Sequence, residues 1–205
     1  MIEPDLEDDC ASCSIVRQKV STLSEDLARL CIPEEVKQEA EKIYELLGKP
    51  IHRNNKRKHM IYYLVSNAFD SLRKVFWPPK LAYEIGIRKE EIGSAASLFK
   101  GKTKNFRAPV INYRPTRYLP LLADILGYDD PNFIEGLSEF GNQLLEKNPR
   151  LGENFPQNMA AGIVHRYMMN EGYNGKDKEE FPAKLLLSWN LIRNASEEVS
   201  ILWNS

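Results

Sequence analysis

The sequence predicts an all-α protein made of two tandem five-helix units. Three observations predict it. Apolar residues recur at spacings of three and four along most of the chain, the stripe of amphipathic helices. No segment shows sustained two-residue alternation between hairpin turns, so no sheet is expected. The chain also resembles itself: PEEVKQEAEKIYELLGK from Pro33 matches PNFIEGLSEFGNQLLEK from Pro131, an offset of 98 residues, and HMIYYLV from His59 matches NMAAGIV from Asn158, an offset of 99. In the first pair Val36 meets Ile134, Ala40 meets Ser138 and Leu46 meets Leu144. IRKEEI from Ile87 resembles IRNASEEV from Ile192.

Along the chain, Val16, Val20, Leu23, Leu27 and Leu30 form the first helical stripe. Cys31-Ile32-Pro33 stops it, because proline disfavours helix at the residue before it and suits the first turn of the next helix. Glu34 and Glu35 then fall in a first turn, where the macrodipole favours acids. Val36, Ala40, Ile43, Tyr44 and Leu47 make the second stripe, ended by Gly48-Lys49-Pro50. A basic loop comes next, and then residues 60–72 are apolar on most sides, as a central buried helix must be. Trp77-Pro78-Pro79 breaks the chain before a short fourth helix ended by Gly86, and a fifth is expected from Ile87 to about Phe99. The second unit opens with a helix over 118–126. The boundaries are an acidic leader over 1–13, a first unit over 14–100, a basic linker over 101–116 and a second unit over 117–205.

The 205 residues are 42% hydrophobic and 28% charged, which excludes wholesale disorder. No run approaches the ~18 apolar residues that a membrane span needs. The leader carries Glu3, Asp5, Glu7, Asp8 and Asp9 and no base, unlike a signal or transit peptide, so an intracellular location is expected. The three cysteines, Cys10, Cys13 and Cys31, fit a reducing compartment. Cys10 and Cys13 have the spacing of half a zinc site, but no second pair completes four ligands, and no metal or cofactor is expected.

Net charge is −1, yet the charges are segregated. Residues 46–69 hold no carboxylate but include Lys49, Arg53, Lys56, Arg57 and Lys58. Residues 101–120 hold none either, against Lys102, Lys104, Arg107, Arg114 and Arg117. Arg53, Lys56, Arg57 and Lys58, just before a helix N-terminus, make a candidate phosphate clamp; the alternative is a solvated loop. Residues 79–99 have the outline of a helix-turn-helix, with Arg88 and Lys89 at the head of its second helix; the alternative is two helices that only close the unit. The expected DNA-binding residues are therefore Arg53, Lys56, Arg57, Lys58, Arg88, Lys89, Lys102, Lys104 and Arg107. No catalytic motif is found: no Gly-rich phosphate loop, no HExxH pair and no local Ser-His-acid signature. His165 falls in an apolar helix and reads as a satisfied core or surface group and not a base, and Trp77, Trp189 and Trp203 as packing anchors.

A duplicated five-helix unit with a buried third helix resembles the cyclin fold. The order Leu30-Cys31-Ile32-Pro33, basic segment 53–58, apolar helix 60–72, short helix to Gly86 and Ile87-Arg88-Lys89-Glu90-Glu91-Ile92 resembles the C-terminal core of the general transcription factor IIB family. The similarity covers about 14–204. It implies a non-catalytic, monomeric bridge between double-stranded promoter DNA, a TATA-binding-protein-like factor and RNA polymerase, with no membrane partner. The family's N-terminal zinc ribbon has no counterpart here, which fits either an excised core or a divergent protein. Ser196-Glu197-Glu198-Val199 stands where basic residues are expected to open the second unit's fifth helix. The abundance of Asn, Tyr and Lys is similar to factor IIB homologues of large DNA viruses. The implied location is a cytoplasmic viral factory if viral and the nucleus if cellular. The alternative is a cyclin-like regulatory subunit of a protein kinase, but SIVRQKVSTLSEDLARL lacks the Met-Arg-Ala-Ile-Leu opening of cyclins.

Overall fold

Thr22 opens the first helix through a reciprocal cap. Its hydroxyl accepts from the Glu25 amide at 3.2 Å and its own amide donates to the Glu25 carboxylate at 2.9 Å. The structure is a computed structural model and describes residues 22–100, 105–109, 111, 113–153, 155–172 and 177–205. Helix α1 covers Leu23–Ala28; the expected stripe from Val16 begins outside the described residues. Pro33 starts α2 (Glu34–Leu46), which buries Val36, Ala40 and Ile43.

Helix α3 (Asn54–Ser71) corrects the expected basic loop: Lys56, Arg57 and Lys58 are helical. Arg53 is extended and helix begins at once after it. Residues 60–69 are all buried, so α3 is the central rod of the first half. Helix α4 (Pro78–Ile85) stops at Gly86, whose φ of 76° favours glycine. A 3-10 turn (Lys89–Glu91) leads into α5 (Ile92–Ala96), shorter than the expected helix to Phe99. The Ser94 and Ser97 hydroxyls donate back to the Glu91 and Gly93 carbonyls, at 2.8 and 2.9 Å, competing with the helix backbone where the helix frays.

The second half runs through a 3-10 turn (Pro115–Tyr118), α6 (Leu119–Leu126), α7 (Pro131–Lys147), α8 (Pro156–Asn170), α9 (Asp177–Leu185) and α10 (Trp189–Trp203). Asp130 caps α7 by accepting from the Asn132 amide at 3.0 Å. Helix α8 buries Met159 through Val164 and packs along α10. No strand occurs among the described residues, so the protein is all-helical there.

Two hydrophobic cores form, one within α1–α5 and one within α6–α10. The exception is Trp77. It leaves the first half just before α4, packs in the second core, and donates its indole N–H to the Leu185 carbonyl at 2.7 Å. A second tie joins the end of α3 to the start of the second half. Arg117 donates to the Arg73 carbonyl at 2.8 Å and stacks 5.0 Å from the Tyr113 ring, while the Tyr113 hydroxyl donates to Asp70. Burial at this joint pushes the Asp70 carboxyl above its usual range.

Burial is shared at some of the positions that the sequence pairs between the two halves and not at others. At the offset of 99, Met60, Ile61, Leu64, Val65 and Phe69 match Met159, Ala160, Ile163, Val164 and Met168, all buried. The α2–α7 match slips by one residue. Val36, Ala40 and Ile43 share their buried state with Phe133, Leu137 and Phe140, whereas Ile134 and Ser138 are only half-buried and Leu46 is exposed where Leu144 is buried. An offset of 97 pairs buried residues with buried residues there. A further correction concerns Glu197 and Glu198: α10 opens at Trp189, so both lie inside the helix and not at its start.

Candidate nucleic-acid interface

Helices α1 and α2 carry acids in their first turns, Glu25 and Asp26 in one and Glu34 and Glu35 in the other. Helix α3 has none; its first turns carry Lys56, Arg57 and Lys58 behind Arg53 at the N-cap. Cations at a helix N-terminus oppose the macrodipole, at about 0.3–1 kcal/mol each when exposed. Their charge and that of the free N–H groups add, so this end of the first half is a concentrated positive field.

The four cations do not play one role. Arg53 and Lys56 are exposed. Arg57 donates from Nε to Asp26 Oδ2 at 2.6 Å, with side-chain exposures of only 16% and 12% for the pair. It clamps α1 to α3. Lys58 donates from Nζ to the Gly86 carbonyl at 3.1 Å, closing the C-terminus of α4 where the macrodipole welcomes a cation. Arg57 is thus tied to Asp26 in a half-buried pair, while Lys58 is exposed and donates to the Gly86 carbonyl.

The Lys58–Gly86 contact brings the 3-10 turn after α4 beside the N-terminus of α3. Arg88 and Lys89 are both exposed there. Arg88 pairs with Glu91 through Nη2 to Oε1 at 3.1 Å and Nε to Oε2 at 3.3 Å, and this hydrogen-bonded pair holds the Glu91 carboxyl below the usual carboxylate range. His59 Nε2 is buried, has no hydrogen-bond partner among the described residues, and lies 3.9 Å from Glu91 Oε1. Lys89 is the exposed cation of this turn with no carboxylate paired to it among the described residues. Helix α5 spans five residues, about 7.5 Å, too short to lie along a major groove, and its serine hydroxyls face their own backbone. A base-reading helix-turn-helix is not formed.

The linker reaches the same end through aromatic contacts. His52 stacks on Phe99 with centroids 5.8 Å apart, Phe99 meets Tyr63 edge-on at 5.2 Å, and Tyr63 meets Phe106 at 6.5 Å. Phe106 therefore carries exposed Arg107 to the first half. Lys102 and Lys104 lie outside the described residues, as do Cys10 and Cys13. Of the expected binding residues that are described, Arg53, Lys56, Lys89 and Arg107 are exposed and make no side-chain contact given above.

The second half is built differently. The first turn of α8 holds Pro156, Gln157 and Asn158, preceded by exposed Arg150 and Glu153. The outer face of α7 presents Glu135, Glu139 and Glu146. His165 is packed edge-on against Phe181 and Trp189, with Nδ1 2.9 Å from the Ser196 hydroxyl. Among the described residues no three of His, Cys, Asp and Glu gather as a metal site, and no helix is long and apolar enough to cross a membrane. Cys31 is an exposed free thiol.

Two features had no signal in the sequence. The Arg57–Asp26 pair joins residues 31 apart in a stretch where local charge counting finds only bases. Tyr83 stands 73% exposed on α4, beside Lys89. A helical stripe that names Leu81, Ala82 and Ile85 as core leaves Tyr83 on the outer face, but it does not show what lies opposite. No protein-family model matches the chain, and no curated protein matches it.

Proposed function

We propose that this chain is a non-catalytic scaffold that binds the nucleic-acid backbone through its first half. Within that class we propose a transcription factor IIB-like core of two cyclin-like five-helix repeats. It bridges double-stranded promoter DNA, a TATA-binding-protein-like factor and RNA polymerase. The observation that carries the reading is the N-terminus of α3, a helix that begins with cations and no acid at one end of a five-helix half. The separate core of α6–α10, with its own buried third helix, supports the duplicated architecture. Arg53, Lys56, Lys89 and Arg107 contact phosphates, and such contacts position a protein without reading sequence.

An electrophoretic shift with promoter DNA, with and without a TATA-binding-protein homologue, tests this. The isolated chain binds weakly, and the homologue strengthens the complex. Four neutralised phosphates give a salt slope of about −3.6 in log K against log salt. R53E/K56E abolishes the shift without lowering the melting temperature. A salt-independent affinity, or an unchanged shift with R53E/K56E, overturns the reading.

A further inference from the structure

The two halves leave a groove of about 400 Å³ between them, within the ~300–1,000 Å³ range of small-ligand sites. One wall is α4 and the residues after it, with Pro79, Tyr83, Ile87 and Lys89; the other is the end of α9 and the turn after it, with Leu186 and Leu187. The walls are clamped together. Trp77, immediately before α4, donates to the carbonyl of Leu185, immediately before Leu186, at 2.7 Å in the buried interior. The groove therefore exists before any ligand arrives.

Its chemistry is specific. The lining is mostly apolar, Lys89 is its one charged residue, and no carboxylate among the described residues contributes. Tyr83 lines this space and is 73% exposed, although its neighbours Leu81 and Ala82 are buried. An exposed aromatic ring beside a cation is the kind of platform on which unpaired bases stack. An extended peptide fits less well, because its main-chain N–H and C=O groups would meet apolar walls without partners. A stacked base needs only its faces covered, and its edges can stay in water.

The geometry points to this groove as a binding site for an unpaired nucleotide. The base stacks on Tyr83 between the two halves, and the adjoining phosphates lie on Lys89 and continue toward Arg53 and Lys56. This assignment rests on the proposed nucleic-acid reading and deepens it: the same cationic end that holds a duplex backbone receives a single strand when the helix opens. Because both halves line the groove, a bound base reports that they are docked.

Fluorescence anisotropy with labelled dT20 and with a duplex of equal length tests it, using wild type, Y83A, Y83F and R53E/K56E at one salt concentration. Y83A is expected to weaken dT20 binding about tenfold, the loss for one stacked base. It leaves duplex binding within about twofold, and Y83F retains both. R53E/K56E weakens both. Tyr83 is exposed, so equal thermal melts for Y83A and wild type exclude misfolding. A 5-iodouracil oligonucleotide is expected to photocrosslink at Tyr83. Equal loss of both nucleic acids in Y83A, no loss of dT20, or crosslinking elsewhere overturns the groove assignment while duplex binding keeps the broader reading. Failure of wild type to bind either nucleic acid overturns both. Y83A-sensitive binding of an acidic, aromatic peptide with dT20 unaffected gives the groove to a protein partner and also overturns it.

Discussion

Replacing Arg57 with methionine separates a folding role from a binding role at the most cationic helix start. Helix α1 has six residues, too few to persist alone in water, so it is held by what it packs on. Leu23 and Leu27 supply apolar contacts, and the Arg57–Asp26 pair supplies the polar one. Removing one partner of a buried pair costs about 3–5 kcal/mol, against about 0–1 for a surface pair. With 16% and 12% of the side chains exposed, the loss falls nearer the buried limit, about 2–4 kcal/mol. At roughly 2–4 °C per kcal/mol for a chain of this size, the melting temperature of R57M falls by about 5–15 °C. Circular dichroism melts of wild type, R57M, D26N and the double variant give the coupling, expected well above the ~0.5 kcal/mol scatter of independent sites. DNA affinity, measured well below all four transitions, changes less than about twofold. An R57M protein that melts like wild type yet loses DNA would show that Arg57 is a phosphate contact and that its bond to Asp26 holds nothing.

Gly162 on α8 would place an alanine Cβ 2.5 Å from the Ala195 Cβ and 2.6 Å from its backbone carbon on α10. The backbone cannot yield, so overpacking of about 1–3 kcal/mol outweighs the roughly 1 kcal/mol that glycine-to-alanine brings in an open helix. G162A therefore lowers the melting temperature, while G93A on α5, with nothing within 4 Å, does not; equal melts for both would refute the tight α8–α10 contact. At high pH the joint gives way. Burial pushes the Tyr118 hydroxyl up to about 12 and raises Tyr62 and Tyr113 as well, so the folded state favours the neutral phenols. Unfolded tyrosine ionises near ~10, so this stability is complete below pH ~10 and is lost as pH rises from there toward ~12. Tyrosinate absorbance and loss of helicity should rise together at the joint, and Y118F should blunt the change; ionisation of the buried tyrosines in a fully helical protein would contradict it.

Helix ends marked by special residues were legible in the sequence. Pro33 and Gly86 delimit α2 and α4 because their backbone preferences act locally. The buried block of α3 was legible because ten consecutive covered positions leave a run that no amphipathic stripe produces. The start of α3 was not. Residues 54–59 are mostly polar and solvent-facing, and a helix without an apolar stripe looks like a loop. The partners of the cations were also hidden, because Asp26 and the Gly86 carbonyl reach them only through the fold. The one-residue slip between α2 and α7 has a similar origin. Phe133 and Ile134 are both apolar, and a spacing of three or four leaves either able to begin the stripe until packing selects Phe133.

One difference between α3 and α8, the third helices of the two halves, bears on how the halves pack. At the offset of 99, Tyr63 stands where Gly162 stands in α8. The Tyr63 ring occupies the space beside α3 and meets Phe99 at 5.2 Å and Phe106 at 6.5 Å. In the second half glycine leaves that space empty of side chain, and α10 closes onto α8 until Ala195 and Ser196 stand where a side chain would begin. A long helix fills the position there. In the first half α5 is short, and Phe99 and Phe106 both meet the Tyr63 ring edge-on. That docking brings Arg107 to the half that already holds Arg53, Lys56 and Lys89. The outward positive charge of the first half thus includes Arg107, next to the Phe106 ring that meets Tyr63, as well as the basic residues at the start of α3 and after α4.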